Sequence, residues 1–286
     1  MSRPRAATPP YWARQADRKW TETDTVSVSA LDALCAATNC VRMFPIRDHN
    51  PSGRIPYVTY MLMAANIGVF LSYVALFNDP RALNGFFFVY AAIPARISAG
   101  DGYSTLISSM FLHGGWMHLI GNMLFLWIFG DNIEDEMGHI PFLIFYLAAG
   151  IAAGLVQVIS APGSEIPTVG ASGAIAGVMG SYLLLFPKAR VDILLILIIF
   201  IRVFPIPAWI MLAVWFGMQF VGGIGADVSA GGVAYWAHAG GFVAGMALTL
   251  PLWLRRGGPA FWRRTHGHPP HPEAVYASSR IPKVRR

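Results

Sequence analysis

Two polar side chains stand out in the apolar second half of this chain. Ser172 lies among glycine and alanine residues in Thr168–Gly180, and His238 lies in Trp236–Gly241. A serine in a membrane helix can simply bond back to the preceding turn, and a lone histidine there is usually a packed, hydrogen-bonded residue. If the two side chains met, the imidazole could take the hydroxyl proton while the oxygen attacks a carbonyl, which is the chemistry of acyl transfer. The question is which elements could bring them together.

The composition indicates a protein that crosses a membrane several times. Of the 286 residues, 55% are hydrophobic and 13% are charged, whereas about a quarter of an ordinary soluble domain is charged. Several apolar runs approach the roughly 20 residues that a helix needs to cross a bilayer core. We therefore predict an all-α, polytopic membrane protein. Its six predicted spans are Tyr57–Phe77, Gly114–Phe129, Pro141–Ile159, Thr168–Phe186, Ile206–Gly222 and Tyr235–Leu254.

The segments outside these spans differ in character. Residues 1–42 and 256–286 are polar, and we expect two cytoplasmic tails, the first of them disordered, around a membrane domain that covers 43–255. The apolar run Ile193–Ile201 is too short to cross, since nine helical residues rise only about 14 Å, so we expect it along the inner interface. An acidic turn should follow the second span at Asp131–Glu136.

The charge pattern favours topology over nucleic-acid binding. The net charge is +6, but the basic residues flank the predicted spans, as the positive-inside rule requires. Six spans place both termini on one side, and the rule makes that side cytoplasmic, in a plasma or inner membrane. We expect no nucleic-acid partner.

A metal site is not predicted. The two cysteines, Cys35 and Cys40, are too few for a structural zinc site or a disulfide framework. The histidines of the C-terminal tail could bind metal, but a solvated tail is the expected arrangement; they are His266, His268 and His271.

Four polar residues share the outer half of the membrane in this topology. Ser172 and His238 lie three to four residues into their spans, which places each roughly 5 Å below the helix top. Asn122 lies one turn below His118 on the same face of the second span. Polar groups in lipid are costly, so their shared depth favours a functional site. With the Ser172 backbone N–H, His118 and Asn122 could stabilise an oxyanion. What orients His238 stays open, because no acid lies near it.

Small residues would let the two helices that carry this pair approach closely. Ser172, Ala176 and Gly180 follow one another at intervals of four residues. On the sixth span, His238 shares a face with Gly241 and Gly245. Such stripes permit close backbone packing in membranes, which a hydroxyl needs to reach an imidazole at roughly 2.6–3.2 Å.

Jointly these motifs resemble the rhomboid family of intramembrane serine proteases. The matching stretches are His113–Asn122, Gly170–Gly173 and Ala237–Gly241, within a similarity that extends from about Met43 to Leu254. The resemblance implies a six-transmembrane-helix bundle, a water-filled cavity open to the outside and no cofactor. It also implies substrates that are single membrane helices, cut near their outer ends.

The resemblance also implies roles for individual residues. Ser172 would be the nucleophile and His238 the base of a catalytic dyad, with His118 and Asn122 as oxyanion stabilisers. His113 would be a supporting residue, although a plain loop histidine is as good an interpretation. The small residues of the motifs would support the site; they are Gly170, Gly173 and Gly241.

Two other classes of function compete with a protease. A catalytically inactive rhomboid-like protein could bind or route membrane-protein clients, but it has no physical need for both Ser172 and His238. A transporter usually shows repeat symmetry and broken helices, and the two halves of this sequence show no convincing repeat. The expected partners are therefore single-span membrane proteins and the lipid bilayer, and the sequence predicts no oligomeric state.

Overall fold

The computed structural model describes residues 42–197, 200–225 and 232–276. Within these ranges the chain forms ten α-helices and one three-stranded sheet. In chain order the elements are β1 (Arg42–Asp48), α1 (Tyr57–Tyr73), α2 (Pro80–Tyr90), α3 (Pro94–Ser98), α4 (Thr105–Ser108), α5 (Trp116–Met137), α6 (His139–Ser160), α7 (Ser172–Leu185), β2 (Arg190–Leu197), β3 (Phe200–Pro207), α8 (Ala208–Gly225), α9 (Tyr235–Arg255) and α10 (Pro259–Thr265). Short 3₁₀ turns occupy Val74–Asn78 and Ser109–Phe111.

Four helical segments in the described part of the chain are long and apolar enough to cross a membrane. They are α1 with its 3₁₀ extension to Asn78, α6, α8 and α9, which correspond to the first, third, fifth and sixth predicted spans. The fourth predicted span is only a 14-residue helix, α7, because Thr168 to Ala171 form a loop before it. The molecule is thus a largely helical membrane protein.

Helix α7 forms the centre of the bundle. All of its residues except Ser172 and Leu183 are buried. Its glycines allow contact with α9 that no larger residue would permit: a Cβ atom added to Gly177 would lie 3.2 Å from the carbonyl oxygen of Gly241 and 3.7 Å from Cα of Gly245. Backbone packing at this distance gains dispersion energy over the full length of the contact. The two helices that carry Ser172 and His238 are therefore held together directly.

The fold is largely helical, as predicted, but it is not all-α, and Ile193–Leu197, which was expected to be part of a short helix, is in a strand. The described residues of this run belong to β2 (193–197) and β3 (200–201), which pair antiparallel, and β1 pairs antiparallel with β2 to complete the sheet. Isoleucine supplies five of the nine residues of the run, and β-branched side chains favour strands. Pro205 and Pro207 fit β3 because it is an edge strand. The fifth span accordingly begins at Ala208 rather than Ile206.

The acidic turn expected at Asp131–Glu136 is helical, because α5 continues to Met137. Its buried carboxylate has partners in the first turn of α1. Glu134 accepts hydrogen bonds from the backbone N–H groups of Val58 (2.9 Å) and Thr59 (2.7 Å). These N–H groups have no partner within their own helix, and a carboxylate is favoured at a helix N-terminus. An acid predicted to lie in a turn thus joins two helices.

The polar C-terminal tail is largely exposed along its described part, but it also makes specific contacts with the rest of the chain. The indole Nε1 of Trp262 in α10 donates to the carbonyl oxygen of Leu184 at 2.9 Å, near the end of α7. Further along, Glu273 binds Arg190 (2.5 Å) and His268 (2.9 Å). The tail therefore packs against the sheet and the end of the central helix. At the other terminus, β1 begins at Arg42, and residues 1–41 lie outside the described part of the chain.

Candidate active site

Ser172 and His238 are in hydrogen-bonding contact. Ser172 is the first residue of α7, and His238 is the fourth residue of α9. The distance between Ser172 Oγ and His238 Nε2 is 2.7 Å, which is within the range for direct proton transfer. Ser172 also stands at a helix N-terminus, where backbone N–H groups have no helical partner and the helix dipole favours negative charge.

Gln219 of α8 contacts the other nitrogen of the imidazole, and the sequence did not reveal this. Its Oε1 lies 2.8 Å from Nδ1 of His238. The indole ring of Trp215, one turn earlier on α8, lies 5.8 Å from the imidazole ring between centroids. The only sequence signal was a glutamine in an apolar span, which the cost of polar groups in lipid makes a functional candidate.

The loop before Ser172 is hydrogen-bonded to the segment that connects α1 with α5. The N–H of Thr168 donates to the carbonyl of Ala92 at 2.8 Å, and the N–H of Ala92 donates back at 3.1 Å. The N–H of Gly170 donates to the carbonyl of Ser109 at 2.9 Å. These hydrogen bonds fix the position of the loop and therefore of Ser172, the first residue of α7.

His118 lies beside Ser172, and Gly170 makes room for it. A Cβ atom added to Gly170 would lie 2.8 Å from Nε2 of His118 and 3.4 Å from Oγ of Ser172. Asn122, one turn further along α5, is buried and donates one amide hydrogen to the carbonyl of His118 at 2.8 Å. Since an amide carries two hydrogens, the second stays available for another acceptor.

His113 is buried next to His118. The two imidazole rings lie 5.1 Å apart in an edge-to-face arrangement. The hydroxyl of Tyr73 accepts from the backbone N–H of His113 (2.6 Å) and donates to its carbonyl (2.8 Å). Neither ring nitrogen of His113 has a hydrogen-bond partner within the described residues. The structure therefore places His113 behind His118, in a position to limit how that ring can move.

Gly173 and Gly241 both lie where helices touch. A Cβ atom on Gly173 would lie 2.6 Å from Cβ of Ala153 in α6, and one on Gly241 would lie 2.9 Å from the carbonyl carbon of Gly173. Any larger residue at either position would force the helices apart. Both glycines thus determine the distance between the elements that carry Ser172 and His238.

A small cavity opens beside Ser172. Its other walls are mainly small and apolar, and they include Met110, Gly150, Ala153 and Gly173. Gln157 of α6 lies at its edge and accepts a hydrogen bond from the N–H of Ala237 at 3.2 Å. In the described ranges no group of three or more His, Cys, Asp or Glu residues is arranged to hold a metal ion.

The arrangement of these residues agrees with a comparison to known families. Residues 100–255, more than half of the chain, match the model of the Rhomboid domain. The chain belongs to the rhomboid family. The matched region contains Ser172, His238, His118, Asn122 and His113.

Several curated rhomboid proteins are similar to this chain. It is 32% identical over 148 residues to Rhomboid protein 1, mitochondrial, of Saccharomyces cerevisiae, covering 50% of this chain and 40% of the yeast protein. It is 29% identical over 197 residues to the rhomboid protease GluP of Bacillus subtilis, covering 68% and 36%. It is 33% identical over 93 residues to the human presenilin-associated rhomboid-like protein, mitochondrial, covering 32% and 24%. The matches span less than half the length of each of these relatives.

Proposed function

We propose that this rhomboid-family protein is an intramembrane serine endopeptidase that uses Ser172 and His238. The observation that carries the proposal is the 2.7 Å contact between the hydroxyl oxygen and Nε2 of the imidazole. A protein that only binds membrane helices gains nothing from this contact at a helix N-terminus. The similarity to a Bacillus relative that is by name a rhomboid protease supports the proposal.

The reaction would have two stages. Nε2 of His238 takes the hydroxyl proton while Oγ of Ser172 attacks the carbonyl carbon of a peptide bond. When the carbon–nitrogen bond breaks, the imidazolium gives that proton to the leaving amine, and an acyl-enzyme forms. His238 then takes a proton from water, whose oxygen attacks the ester, and returns the proton to Oγ as the new carboxylic end departs.

The oxyanion of each stage needs donors that are already in place. The N–H of Ser172, at the first position of α7, has no partner within its helix. The imidazole of His118 and the free hydrogen of the Asn122 amide complete the set that we propose. The cavity beside Ser172, with its small apolar walls, would take a small side chain next to the scissile bond.

The apolar surroundings suit substrates that are themselves membrane helices. We propose single-span membrane proteins, cut near one end of the helix, as the substrate class. With α5 and α7 counted as spans, the chain would cross a cell membrane six times and leave both termini in the cytoplasm, in agreement with the positive charge around their ends.

The test is cleavage of a model membrane-helix substrate by purified protein in detergent and in liposomes. The wild type should cut it, whereas Ser172→Ala and His238→Ala should not. Equal cleavage by wild type and Ser172→Ala would disprove the protease. Binding of the substrate without cleavage by the wild type would instead support an inactive rhomboid-like protein that routes clients.

A further inference from the structure

The contact between Gln219 and His238 is a feature of the site that neither the motifs nor the family match assigns. Gln219 is 8% exposed, although it lies on α8, a helix with few buried residues. Most side chains of α8 point away from the bundle, and the buried ones are Ala208, Leu212, Gln219 and Gly223. Three of these four are apolar or glycine, as expected for a packing face, so the amide needs a separate explanation.

Both ends of the glutamine amide have partners. Nε2 donates to the backbone carbonyl of Trp215 at 3.3 Å, one turn earlier on the same helix. Since a carbonyl can only accept, this bond assigns the nitrogen to that side and turns Oε1 toward His238. The oxygen then lies 2.8 Å from Nδ1. The helix itself therefore determines which way the amide faces.

The direction of the amide determines the tautomer of the imidazole. An amide oxygen is an acceptor only, so Nδ1 of His238 must carry the hydrogen. In a neutral imidazole the other nitrogen, Nε2, then has its lone pair free and faces Oγ of Ser172 at 2.7 Å. This is the tautomer that a general base needs. In the opposite tautomer the lone pair of Nδ1 would face the amide oxygen, and Nε2 would donate to Oγ instead of accepting its proton.

The same contact holds when the imidazole becomes charged. After proton transfer both ring nitrogens are donors, and Gln219 still accepts from Nδ1. A buried donor without a partner would cost more than the bond itself gains, particularly on a charged ring. The neutral amide of Gln219 thus orients the imidazole, as the carboxylate does in a Ser–His–Asp triad.

We infer that Gln219 is a positioning residue that sets the tautomer and the ring plane of His238. The inference rests on the proposed protease function, and it makes α8 part of the active site as well as a membrane helix. Trp215 contributes to the same end, because its indole lies beside the imidazole ring. The group that reacts with substrate stays the Ser172–His238 pair.

Two substitutions of equal length separate an acceptor from a packing role. Gln219→Met keeps the length and buried volume but removes the acceptor, and we expect kcat to fall about 10- to 100-fold with KM unchanged. Gln219→Glu keeps an acceptor at the same distance, and we expect kcat to stay within about tenfold of wild type. Met218→Leu, at an exposed position of the same helix, is the control and should change neither constant.

The pH profile gives a readout that packing would not move. In Gln219→Glu a carboxylate would stabilise the imidazolium, so the acidic limb of the kcat profile should shift to higher pH. The titratable side chain that the packed elements place near His238 is His118 of α5. His118 is unaltered in every variant. A shift of the pH profile that occurs only in Gln219→Glu is therefore caused by the new carboxylate at position 219.

Each outcome decides the inference. Loss in Gln219→Met with retention in Gln219→Glu supports it. Equal losses in both, or unfolding of both, would overturn it in favour of a packing role. Unchanged kcat in Gln219→Met, with Ser172-dependent cleavage intact, would overturn it while the protease stands. A wild type without Ser172-dependent cleavage would reject the proposed function itself, and this inference with it.

Discussion

Gly170 and His118 are in contact because Gly170 has no side chain. Its backbone φ is 128°, a value that L residues rarely adopt. The position of a Cβ atom there is 2.8 Å from Nε2 of His118, which is inside the van der Waals contact distance. Position 170, two residues before Ser172, thus requires glycine for two reasons. The backbone has a positive φ, and a side chain would occupy the space of the His118 imidazole.

Gly170→Ala should therefore abolish most activity. The methyl group would push His118 out of the proposed oxyanion site, and backbone strain of about 1–3 kcal/mol would act on the loop. Gly138→Ala is a matched control, because Gly138 has a φ of 82° but nothing within 4 Å of its added Cβ. Both variants should lose stability, but only Gly170→Ala should lose cleavage. Similar cleavage rates in the two would contradict this account.

Asn122→Ala should separate catalysis from stability. The substitution removes a hydrogen bond to the carbonyl of His118, which contributes about 1 kcal/mol to folding. It also removes the proposed oxyanion donor, and loss of such a donor lowers turnover about 10²- to 10³-fold. Steady-state cleavage and thermal unfolding of the same preparation measure both effects. Turnover within threefold of wild type would remove Asn122 from the oxyanion site.

Close packing of α7 and α9 should be essential for both stability and activity. A Cβ atom on Gly245 would lie 2.5 Å from the carbonyl carbon of Gly177. Since this neighbour is backbone, the helices must separate, which costs about 1–3 kcal/mol. Gly245→Ala should lower the melting temperature and lengthen the distance between Ser172 and His238. Gly68→Ala in α1 is the control, because a Cβ atom added there has no neighbour within 4 Å. It should lower neither the melting temperature nor the cleavage rate, and both quantities are measured for the two variants in parallel.

A half-buried acid near the opposite end of α7 should make stability depend on pH. Burial, reinforced by the neighbouring carboxylate of Asp131, raises the pKa of Asp48 from about 3.8 to about 8, although a hydrogen bond of 2.7 Å from Tyr182 opposes the shift. The folded protein therefore holds an additional proton between about pH 4 and 8. This contribution to stability is complete below that window and is lost as pH rises through it.

The corresponding variant is Asp48→Asn, which cannot ionise. Its melting temperature should decline less than that of wild type between pH 5 and 8, and it should be the more stable protein at pH 8. Scanning fluorimetry of detergent-solubilised protein across this range provides the measurement. Parallel curves for the two proteins would show that Asp48 is not the group responsible.

Local patterns in the sequence were sufficient to identify the membrane class, the approximate spans and the residues that meet at the site. Hydropathy is a local property, so α1, α6 and α9 could be located within a few residues. Ser172 and His238 could be paired because both lie near the outer end of a predicted span. In each span, glycines at helical spacing lie on the same face as the polar residue. His118 and Asn122 could be assigned to one helix face because they are four residues apart.

The strands, the helical course of the acidic segment and the partner of the imidazole depend on contacts between distant parts of the chain. A short apolar run has no period that separates helix from strand, and Ile193 to Ile196 are in a strand that pairs with β1, about 150 residues earlier in the chain. Glu134 is helical because it binds the first turn of α1. Gln219 could be noticed in the sequence, but the atom it contacts depends on how α8 rotates and packs against α9. Such contacts between distant segments are set by the whole bundle, and no local pattern of residues contains them.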